Sequence, residues 1–581
     1  MAEQIISPGV FQNENVPITL EAAAAPIGAA IIGPSVKGPV GIPTLVTTYS
    51  DYKTRFGSTI VSGGVEYAYF TGISAQNYFK QGGSSLLVTR VVSGGLDGWA
   101  GATSTNIGGG TGVSNAFQLK TISEGDNQNS NSPETTGGAL PSGSSDNLRW
   151  EITNTDSGSG IFTLNIRQGD DRQADKKILE TYRGVSLDPK RDDYIAKVIG
   201  NQEFSVGDDD GDAYVSVTGE YPNKSKYVIV SAVNNPTPDY LDGAGNFKAE
   251  FTASIPTNQS GSFSGGTGEL FPDGGTGEVK WYKDITATNS QGVDADDYTA
   301  SINLLRNKDQ YAFNVISVPG LIYEFTSTPS MKDELDTLIT NTTTRGDSIL
   351  PIDLVAYGAT TAEATDQAGN LNTNYAAAYW PWLLVNEEDS KANVWVPAST
   401  IIPSVYVFND NTSEAWFAPA GFTRGTMPNV VAPEKTLPRS LRDTLYNAKI
   451  NPIATFPGTG VVVYGQKTLQ SLATALDRVN VRRLLIALKD FIGGVSQNLV
   501  FEPNTLQTRN SFLSVVNPYL ESVQQNNGLY AFKVVMDDSN NGPDTIDRQE
   551  LRGAIYLQPV KTAEFIVLDF NILPTGAEFP A

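Results

Sequence analysis

An acidic, glycine-rich stretch of two hundred residues interrupts the strand and helix pattern of this chain. Residues 101–300 carry 29 Asp and Glu against 15 Lys and Arg, and they hold 27 of the chain's 56 glycines. Apolar residues alternate with polar ones there in short pieces, which is typical of half-buried strands joined by turns. The clearest pieces are FQLKTI, LRWEITN, FTLNIRQ, YVIVSAV and EVKWYKDI. We therefore predict a β-rich insertion of one or two domains with exposed acidic loops.

The sequence on either side of this insertion alternates apolar strand runs with helical patterns. Such alternation predicts parallel strands covered by helices, and 581 residues are too many for a single core. We expect a multidomain α/β or α+β fold. The predicted strands lie at 29–33, 84–92, 311–320, 348–358, 460–465, 529–538 and 554–560. The predicted helices lie at 49–56, 65–83, 331–340 and 512–528, and Thr328-Pro329 is the expected start of the third.

Two apolar stripes in residues 468–492 predict a further pair of helical segments. The stripes are slightly out of phase, so a break is expected near 479–481. The first consists of Leu469, Leu472, Ala473 and Leu476, and the second of Val481, Leu484, Leu485 and Leu488.

The chain contains no cysteine and no histidine. Thiolate, zinc–thiolate and imidazole chemistry are therefore excluded. GTGVVVYG lacks the third glycine of a dinucleotide fingerprint because position 463 is valine. We expect no enzyme activity and no cofactor.

One acidic cluster is a candidate metal site. Four carboxylates of GDDDGDAY could attract calcium, but the twelfth position of an EF-hand loop counted from Asp208 is Gly219. A solvated acidic turn is the favoured interpretation, and no metal site is expected. The carboxylates belong to Asp208, Asp209, Asp210 and Asp212.

Charge is distributed unevenly along the chain, whose formal net charge is −23. Residues 439–490 are basic by contrast, with 8 Lys and Arg against 3 Asp and Glu. The overall balance argues against nucleic-acid binding, and no apolar run or basic leader indicates membrane insertion or secretion. Four basic residues are candidates for contact with an acidic partner, and local ion pairs on a solvated helix face are the alternative. They are Arg478, Arg482, Arg483 and Lys489, with Glu502 as a hypothetical buried ion-pair partner.

The segment EFIVLDFNIL, residues 564–573, has an apolar strand face near the end of an acidic chain. Chain ends are usually polar and frayed unless another element binds them. The sequence alone leaves two interpretations: an inner strand of its own domain, or a strand that pairs with another subunit. The apolar face consists of Ile566, Leu568, Phe570 and Ile572.

Several stretches, taken in order, resemble the contractile tail sheath proteins of bacteriophages. Each motif alone is weak, but their order and spacing make a strong match over about residues 1–100 and 300–581. The stretches are SPGV (7–10), IIGPSVKGPVGIPTLVTTYSDYKTRFG (31–57), NYAAAYWPWLLV (374–385), VWVPAS (394–399), AWFAPAGFTRG (415–425), LYNAKINPIATFPGTGVVVYGQKTL (445–469), VNVRRL (479–484), VFEPN (500–504) and PVKTAEFIV (559–567).

The resemblance implies an architecture in which both chain ends build one α/β core and the insertion protrudes outward. The implied parts are an N-terminal arm at 1–20, a core from 21–100 plus 431–563, a protruding insertion at 101–300, a middle domain at 301–430 and a C-terminal arm at 564–581. In this family the arms add strands to the sheets of neighbouring subunits. The implied arm contacts are Ser7, Pro8, Gly9 and Val10 at one end and Ile566, Leu568, Phe570 and Ile572 at the other.

The implied function is that of a structural sheath subunit. Such subunits form stacked rings, with six subunits expected in each ring, around a tail tube, and they contract to drive the tube through the host envelope. Further implied partners are baseplate and tail-terminator proteins, and the implied location is the virion after assembly in the host cytoplasm. Two alternatives stay open: the sheath of a contractile injection device without a phage head, and a receptor-binding β-rich surface protein.

Overall fold

The computed structural model describes residues 27–62, 65–96, 98–270, 281–287, 289–326 and 330–564. Two units are distinguished within them. The larger comprises residues 27–487 and 559–564, and the smaller comprises residues 488–558. None of the helices in these described residues is both long and apolar enough to cross a membrane.

Secondary-structure elements are numbered here in chain order. The first group comprises β1 (Ile27–Gly33), β2 (Thr44–Val46), α1 (Tyr49–Phe56), β3 (Thr59–Ser62), β4 (Val65–Ala68), α2 (Phe70–Lys80) and β5 (Leu86–Arg90). The second comprises β6 (Gly101–Ser104), β7 (Phe117–Glu124), β8 (Leu148–Asp156), β9 (Ile161–Gln168), β10 (Ile178–Ser186), α3 (Ile195–Ile199), β11 (Glu203–Asp209), β12 (Asp212–Thr218), β13 (Val228–Val233), β14 (Gln259–Ser264), α4 (Trp281–Asp284) and α5 (Thr299–Leu304).

The third group comprises β15 (Phe313–Ser317), α6 (Met331–Arg345), β16 (Leu350–Ile352), α7 (Thr361–Gly369), β17 (Ala376–Trp380), β18 (Leu383–Asn386), β19 (Asn393–Val396), α8 (Ile402–Thr412), α9 (Gly421–Arg424), β20 (Val430–Pro433), α10 (Arg439–Asn447), β21 (Ile450–Phe456) and β22 (Gly460–Val463). The last group comprises α11 (Val479–Gln497), α12 (Leu506–Gln525), β23 (Leu529–Val535), α13 (Pro543–Asp547) and β24 (Ala554–Pro559).

Two four-stranded sheets meet edge to edge in the larger unit. The first has the order β15-β1-β5-β2 and the second the order β16-β17-β21-β22. Ile349 joins them, because its amide donates to the carbonyl of Asn314 at 3.1 Å and its carbonyl accepts from the amide of Ile316 at 3.1 Å. The inner strands β15, β1 and β5 run parallel, as do β16, β17 and β21. Their continuous apolar runs are explained by burial on both faces.

This pairing interleaves sequence that was predicted to form separate domains. Strand β15 comes from the predicted middle domain and pairs with β1 of the predicted core. Strand β17 also comes from the middle domain and pairs with β21 of the core. The exact division into core and middle domains stays a prediction, but its boundaries do not separate these sheets.

The β-rich insertion forms a seven-stranded antiparallel sheet in the order β10-β9-β8-β14-β6-β7-β13. All seven strands lie between residues 101 and 264, so the predicted β-rich character is confirmed. Its core includes Trp150 and the stacked rings of Phe117 and Phe162, whose centroids are 5.6 Å apart. The acidic cluster predicted as a turn lies at the tip of the separate β11–β12 hairpin, between Asp208 and Asp212.

A buried ion-pair network stabilises one end of this sheet. Asp171 accepts two hydrogen bonds from Arg167, at 2.7 Å and 2.9 Å, and a third from Arg149 at 3.2 Å. All three side chains have no exposed surface. Arg149 also pairs with Glu134. The carboxylate of Asp171 therefore compensates two buried guanidinium groups at once.

Arg90, the last residue of β5, connects the first sheet to the insertion. Its buried guanidinium donates to the carbonyl oxygens of Gly38 at 2.7 Å and Glu124 at 2.8 Å. Burial lowers the pKa of Arg90 to about 10. The amide of Val40 donates to the Glu124 carboxylate at 3.0 Å. These contacts fix the start of the inserted sequence to the parent sheet.

The smaller unit packs helices against a two-stranded sheet. Helix α12 buries Arg509, Phe512, Val516, Leu520 and Val523 at helical spacing. As predicted, it contains an internal proline, Pro518. Strands β23 and β24 form the sheet, and their Tyr530 and Tyr556 are 63% and 62% exposed. This unit therefore presents a short sheet with exposed aromatic side chains.

Several predictions about local structure are confirmed and others are wrong. The helix at 49–56 and the strands at 29–33, 84–92 and 311–320 are confirmed. The predicted helix at 65–83 is wrong in its first part, because Val65–Ala68 pairs with β3 as a hairpin strand. Helix α6 begins at Met331 with Ser330 as its cap, and the predicted start at Thr328-Pro329 lies outside the described residues. Trp281–Asp284 is helical where a strand was predicted.

The predicted helix at 469–476 is also wrong. Residues 469–474 are not helical, Leu472 is 70% exposed, and helix α11 begins only at Val479. The amide of Leu469 instead donates to the carbonyl of Ala376 at 3.1 Å, at the start of β17. Backbone pairing with a sheet therefore prevails over the helical spacing of these leucines.

Asp353, directly after β16, is a buried carboxylate in the larger unit. Its oxygens accept hydrogen bonds from the amide of Ser399 at 3.0 Å and from the Ser399 hydroxyl. Burial raises the pKa of Asp353 to about 7, although both hydrogen bonds from Ser399 act to lower it. The folded protein therefore holds this proton more tightly than the unfolded chain does.

We predict that Asp353→Asn removes part of the pH dependence of stability. In the native protein this group's contribution is fully present below its unfolded pKa near 4 and is lost as pH rises through about 7. The variant carries no charge, so its free energy of unfolding should exceed that of the native protein at pH 8, by about 4 kcal/mol at most. Denaturant unfolding from pH 5 to pH 8 measures this difference. Asp366→Asn, on an exposed position of α7, is the control; an equal pH slope in both variants would contradict the prediction.

Candidate functional site

Three segments of the larger unit converge on Glu564, the last described residue. Tyr446 lies near the end of α10, Gln466 follows β22, and Arg478 directly precedes α11. The sheet positions the first two, because β21 and β22 form an antiparallel pair between them. The start of α11 positions the third, because the amide of Val479 donates to the carbonyl of Gln466 at 2.8 Å.

Glu564 is held by three side chains, which we call the Glu564 clamp: Tyr446, Gln466 and Arg478. The guanidinium of Arg478 binds the carboxylate in a bidentate manner, with Nε to Oε1 at 2.7 Å and Nη2 to Oε2 at 3.0 Å. The Tyr446 hydroxyl donates to Oε2 at 2.8 Å and the Gln466 amide donates to Oε1 at 3.0 Å. Gln466 also donates to the hydroxyl of Thr562. Bidentate charge-assisted bonds of this kind are among the strongest side-chain contacts.

Electrostatics favour the ionised form of this carboxylate. Burial alone would raise the pKa of Glu564, but hydrogen bonds from Arg478, Gln466 and Tyr446 hold it below its ordinary value. Burial and the neighbouring Glu564 carboxylate raise the pKa of Tyr446. Tyr446 therefore stays a neutral donor and Glu564 a charged acceptor near neutral pH.

Lys467 and Asp477 extend the charged surroundings of the clamp. The ammonium of Lys467 lies 4.1 Å from the centre of the Tyr446 ring and donates to the Tyr446 carbonyl at 2.8 Å. Burial and the nearby Arg478 lower the pKa of Lys467. Asp477 pairs with Arg478 at 2.8 Å. Arg478 is thereby oriented by a carboxylate on each side.

Comparison with protein-family models gives two matches along this chain. Residues 291–469 match the central domain of phage tail sheath proteins, and residues 473–572 match the phage tail sheath C-terminal domain. These two regions of the chain are similar to the domains of phage tail sheath proteins. Tyr446 and Gln466 lie in the region that matches the central-domain model, whereas Arg478 and Glu564 lie in the region that matches the C-terminal-domain model. The clamp therefore joins the two matched regions.

Curated sheath proteins match part of this sequence. The tail sheath protein of Vibrio phage KVP40 is 39% identical over 210 residues, which are 36% of this chain and 31% of the relative. The tail sheath protein of Enterobacteria phage T4 is 36% identical over 226 residues, which are 39% of this chain and 34% of the relative. The matched part thus spans about a third of each curated relative.

A solved structure extends the likeness of fold over nearly the whole chain. The sheath tail protein of Listeria innocua aligns with a TM-score of 0.52 and 10% identity, covering 93% of this chain and 97% of that one. At this identity the comparison shows the fold alone, which is mixed α/β.

The predicted contact residue Arg482 lies inside the folded chain rather than on its surface. Its guanidinium donates to the side-chain oxygen of Asn374 at 2.6 Å and lies 4.0 Å from the centre of the Tyr375 ring. It is 3% exposed. Arg482 therefore attaches the start of α11 to the NYAAAYWPWLLV motif.

Arg483 makes a similar connection on the next face of the helix. It pairs with Asp410 of α8 at 2.5 Å and lies over the ring of Tyr406, 4.7 Å from its centre. The Tyr406 hydroxyl in turn hydrogen-bonds that of Tyr379 at 2.7 Å. Within the described chain, Arg482 and Arg483 are thus committed to internal contacts, and their contact with a tube or neighbour stays a prediction.

The structure places the other predicted residues as follows. Lys489 is exposed on α11, which agrees with a surface role but does not test its predicted contact. Glu502 is exposed, so the hypothesis of a buried ion-pair partner is wrong. The predicted arm contacts lie outside the described residues: Ser7, Pro8, Gly9, Val10, Ile566, Leu568, Phe570 and Ile572.

Sequence reasoning found Arg478 but missed the rest of the clamp. Glu564 lies at the beginning of the predicted arm strand, and nothing in the spacing selects it among 63 acidic residues. Tyr446 and Gln466 lie in the quoted LYNAKINPIATFPGTGVVVYGQKTL motif. The available signal was the position of Gln466 directly after the predicted strand at 460–465, because loops that follow strands often carry functional side chains.

Proposed function

We propose that this chain is the structural subunit of a contractile phage tail sheath. Its subunits polymerise as stacked hexameric rings around a tail tube and contract to drive the tube through the host envelope. The two consecutive family matches over residues 291–469 and 473–572 are the observation that carries this proposal. No catalytic step is part of it.

The proposed architecture assigns the β-rich sheet to the outside of the assembly. Its sequence carries a net charge of −14 over residues 101–300, which suits a solvated surface. The core is proposed to comprise residues 21–100 plus 431–563, with residues 301–430 as a middle domain interleaved with it by β15 and β17. Residues 1–20 and 564–581 are proposed as arms.

Subunits are proposed to be joined by exchange of the C-terminal segment. Burying Ile566, Leu568, Phe570 and Ile572 in a neighbour would stabilise a junction by roughly 6–12 kcal/mol as an upper bound. Each ladder hydrogen bond would add about 1 kcal/mol. These values favour a connection that survives large movements of the subunits.

The β23–β24 sheet is the proposed acceptor of an exchanged strand. It has two strands among the described residues, and such a sheet is only marginally stable without a further partner. Most of the residues of β23 and β24 are half-buried or exposed. An added strand would cover an open edge and the exposed Tyr530 or Tyr556.

The proposed partners are other copies of this chain, a tail tube protein, and baseplate and terminator proteins at the sheath ends. The proposed location is the tail of the virion, after assembly in the host cytoplasm. Contraction would draw on energy stored in the extended lattice and released as new contacts form between subunits. Arg478, Arg482, Arg483 and Lys489 were predicted to meet a tube or neighbour, and Lys489 is the most exposed of them.

Expression of the full chain, followed by negative-stain electron microscopy, tests the proposal. We expect hollow cylinders or stacked rings, either from the chain alone or after addition of the tube protein. Their rotational symmetry tests the proposed six subunits per ring. Monomers under both conditions would contradict the proposal.

A further inference from the structure

The Glu564 clamp holds the chain at the point where the predicted arm begins. Residues 560–564 follow β24 and have no regular secondary structure. Side-chain hydrogen bonds hold residues 560–564 in place. Gln466 donates to Thr562, and all three residues of the clamp donate to Glu564. All of these partners belong to the same larger unit of the same chain.

We propose that the Glu564 clamp anchors the root of the C-terminal segment to its own subunit, so that exchange with a neighbouring copy begins only beyond Glu564. This inference rests on the proposed function. It adds the position at which the exchanged strand is attached to its own subunit.

An exchanged strand transmits force to its root when two subunits move apart. In the absence of an anchor, that force would act on β24. Because β24 belongs to a two-stranded sheet, which is only marginally stable, the force could break its hydrogen bonds to β23 one after another. The bidentate bond from Arg478 meets this force with two parallel charge-assisted hydrogen bonds. Tyr446 and Gln466 bind the same carboxylate from α10 and from the loop after β22, so the force is spread over three segments.

The position of the clamp also sets the reach of the segment. The nine residues 565–573 complete the predicted arm strand beyond Glu564, and fully extended they span at most about 30 Å. The acceptor sheet of the neighbouring copy must lie within this distance of the clamp. Loss of the clamp would lengthen the free segment back toward Pro559, which lowers the effective concentration of the strand at its acceptor.

The first test uses the unassembled protein and does not depend on sheath formation. Glu564→Gln and Arg478→Gln are each expected to accelerate hydrogen exchange of peptides covering 559–564 by about tenfold, because a charge-assisted pair is lost. The double variant should be no faster than either single variant, since both remove the same interaction. Arg439→Gln is the matched control, because Arg439 forms an exposed pair with Asp443 at 4.0 Å on the helix that carries Tyr446.

The second test measures assembly by sedimentation and electron microscopy. Glu564→Gln is expected to raise the protein concentration needed for cylinders by about tenfold, with no change for Arg439→Gln. Faster exchange together with impaired assembly supports the anchor. Native exchange rates in the Glu564→Gln variant, or faster exchange with native assembly, would overturn it while leaving the sheath function intact. If the native chain forms no cylinders with tube protein, the sheath function fails, and the anchor for exchange fails with it.

Discussion

A chain that ends at Glu564 is expected to fold but to form no cylinders. The deletion removes residues 565–581 and leaves every member of the Glu564 clamp in place. It eliminates the apolar face that would supply roughly 6–12 kcal/mol to each junction, at the upper bound of area-based values. A loss of this size lowers an association constant by several orders of magnitude. Negative-stain images of the truncated and full chains, prepared at equal concentration with tube protein, measure the effect.

Substitutions within the segment separate strand pairing from a general need for the chain end. Leu568→Asp and Phe570→Asp place a charge on the face predicted to be buried, and each is expected to prevent assembly. Asn571→Ser lies on the opposite face of the same strand and is the matched control. Assembly of the truncated chain at native concentration would instead favour an inner strand of the chain's own domain.

Asp171→Ala is expected to lower the free energy of unfolding of the β-rich sheet by about 3–5 kcal/mol. The substitution leaves the guanidinium groups of Arg149 and Arg167 buried without their shared carboxylate. It also removes the acceptor of the Lys177 amide, which lies 3.0 Å from the carboxylate. Peptide-resolved hydrogen exchange of β8 and β9 in the intact chain reports this loss directly.

The neighbouring residue provides a control for the Asp171 experiment. Asp170 pairs with Lys177 at 3.0 Å, and both side chains are substantially exposed. Asp170→Ala should therefore change stability by less than about 1 kcal/mol. Equal exchange rates in the two variants would mean that the buried network does not stabilise the sheet. Assembly of Asp171→Ala is a separate readout, because the proposed role of this sheet lies on the outer surface.

The sequence predicted where the strands of the larger unit lie better than it predicted which strands are adjacent in the sheet. Runs such as AAIIG and SSLLVTRVV are apolar on both faces, and this identifies buried parallel strands without reference to pairing. That β1 lies between β5 and β15 follows from contacts across the insertion, which no local pattern records. The pattern of Leu469, Leu472 and Leu476 was misleading for the same reason, since a backbone bond to Ala376 decides that segment.

The candidate site was predictable only in part. A cluster of basic residues near 478–489 was visible in the composition, but the identity of each partner depends on tertiary contacts. Arg478, Arg482 and Arg483 are close in sequence, yet they bind Glu564, Asn374 and Asp410 respectively. A charged residue at the start of a helix can face solvent or pair with a partner inside the core. Only the tertiary contacts distinguish these two cases.

The position of β1 between β5 and β15 has a consequence for biosynthesis. Strand β5 ends at Arg90, whereas β15 begins at Phe313. At ribosomal rates of about 5–20 residues per second, the growing chain spends roughly 10–45 s with one edge of β1 uncovered. The seven-stranded insertion sheet is complete earlier, because its last strand ends at Ser264. We therefore expect the insertion to fold first on the ribosome and to bring the two halves of the parent sheet together. The insertion would then aid folding in addition to its proposed role on the outer surface.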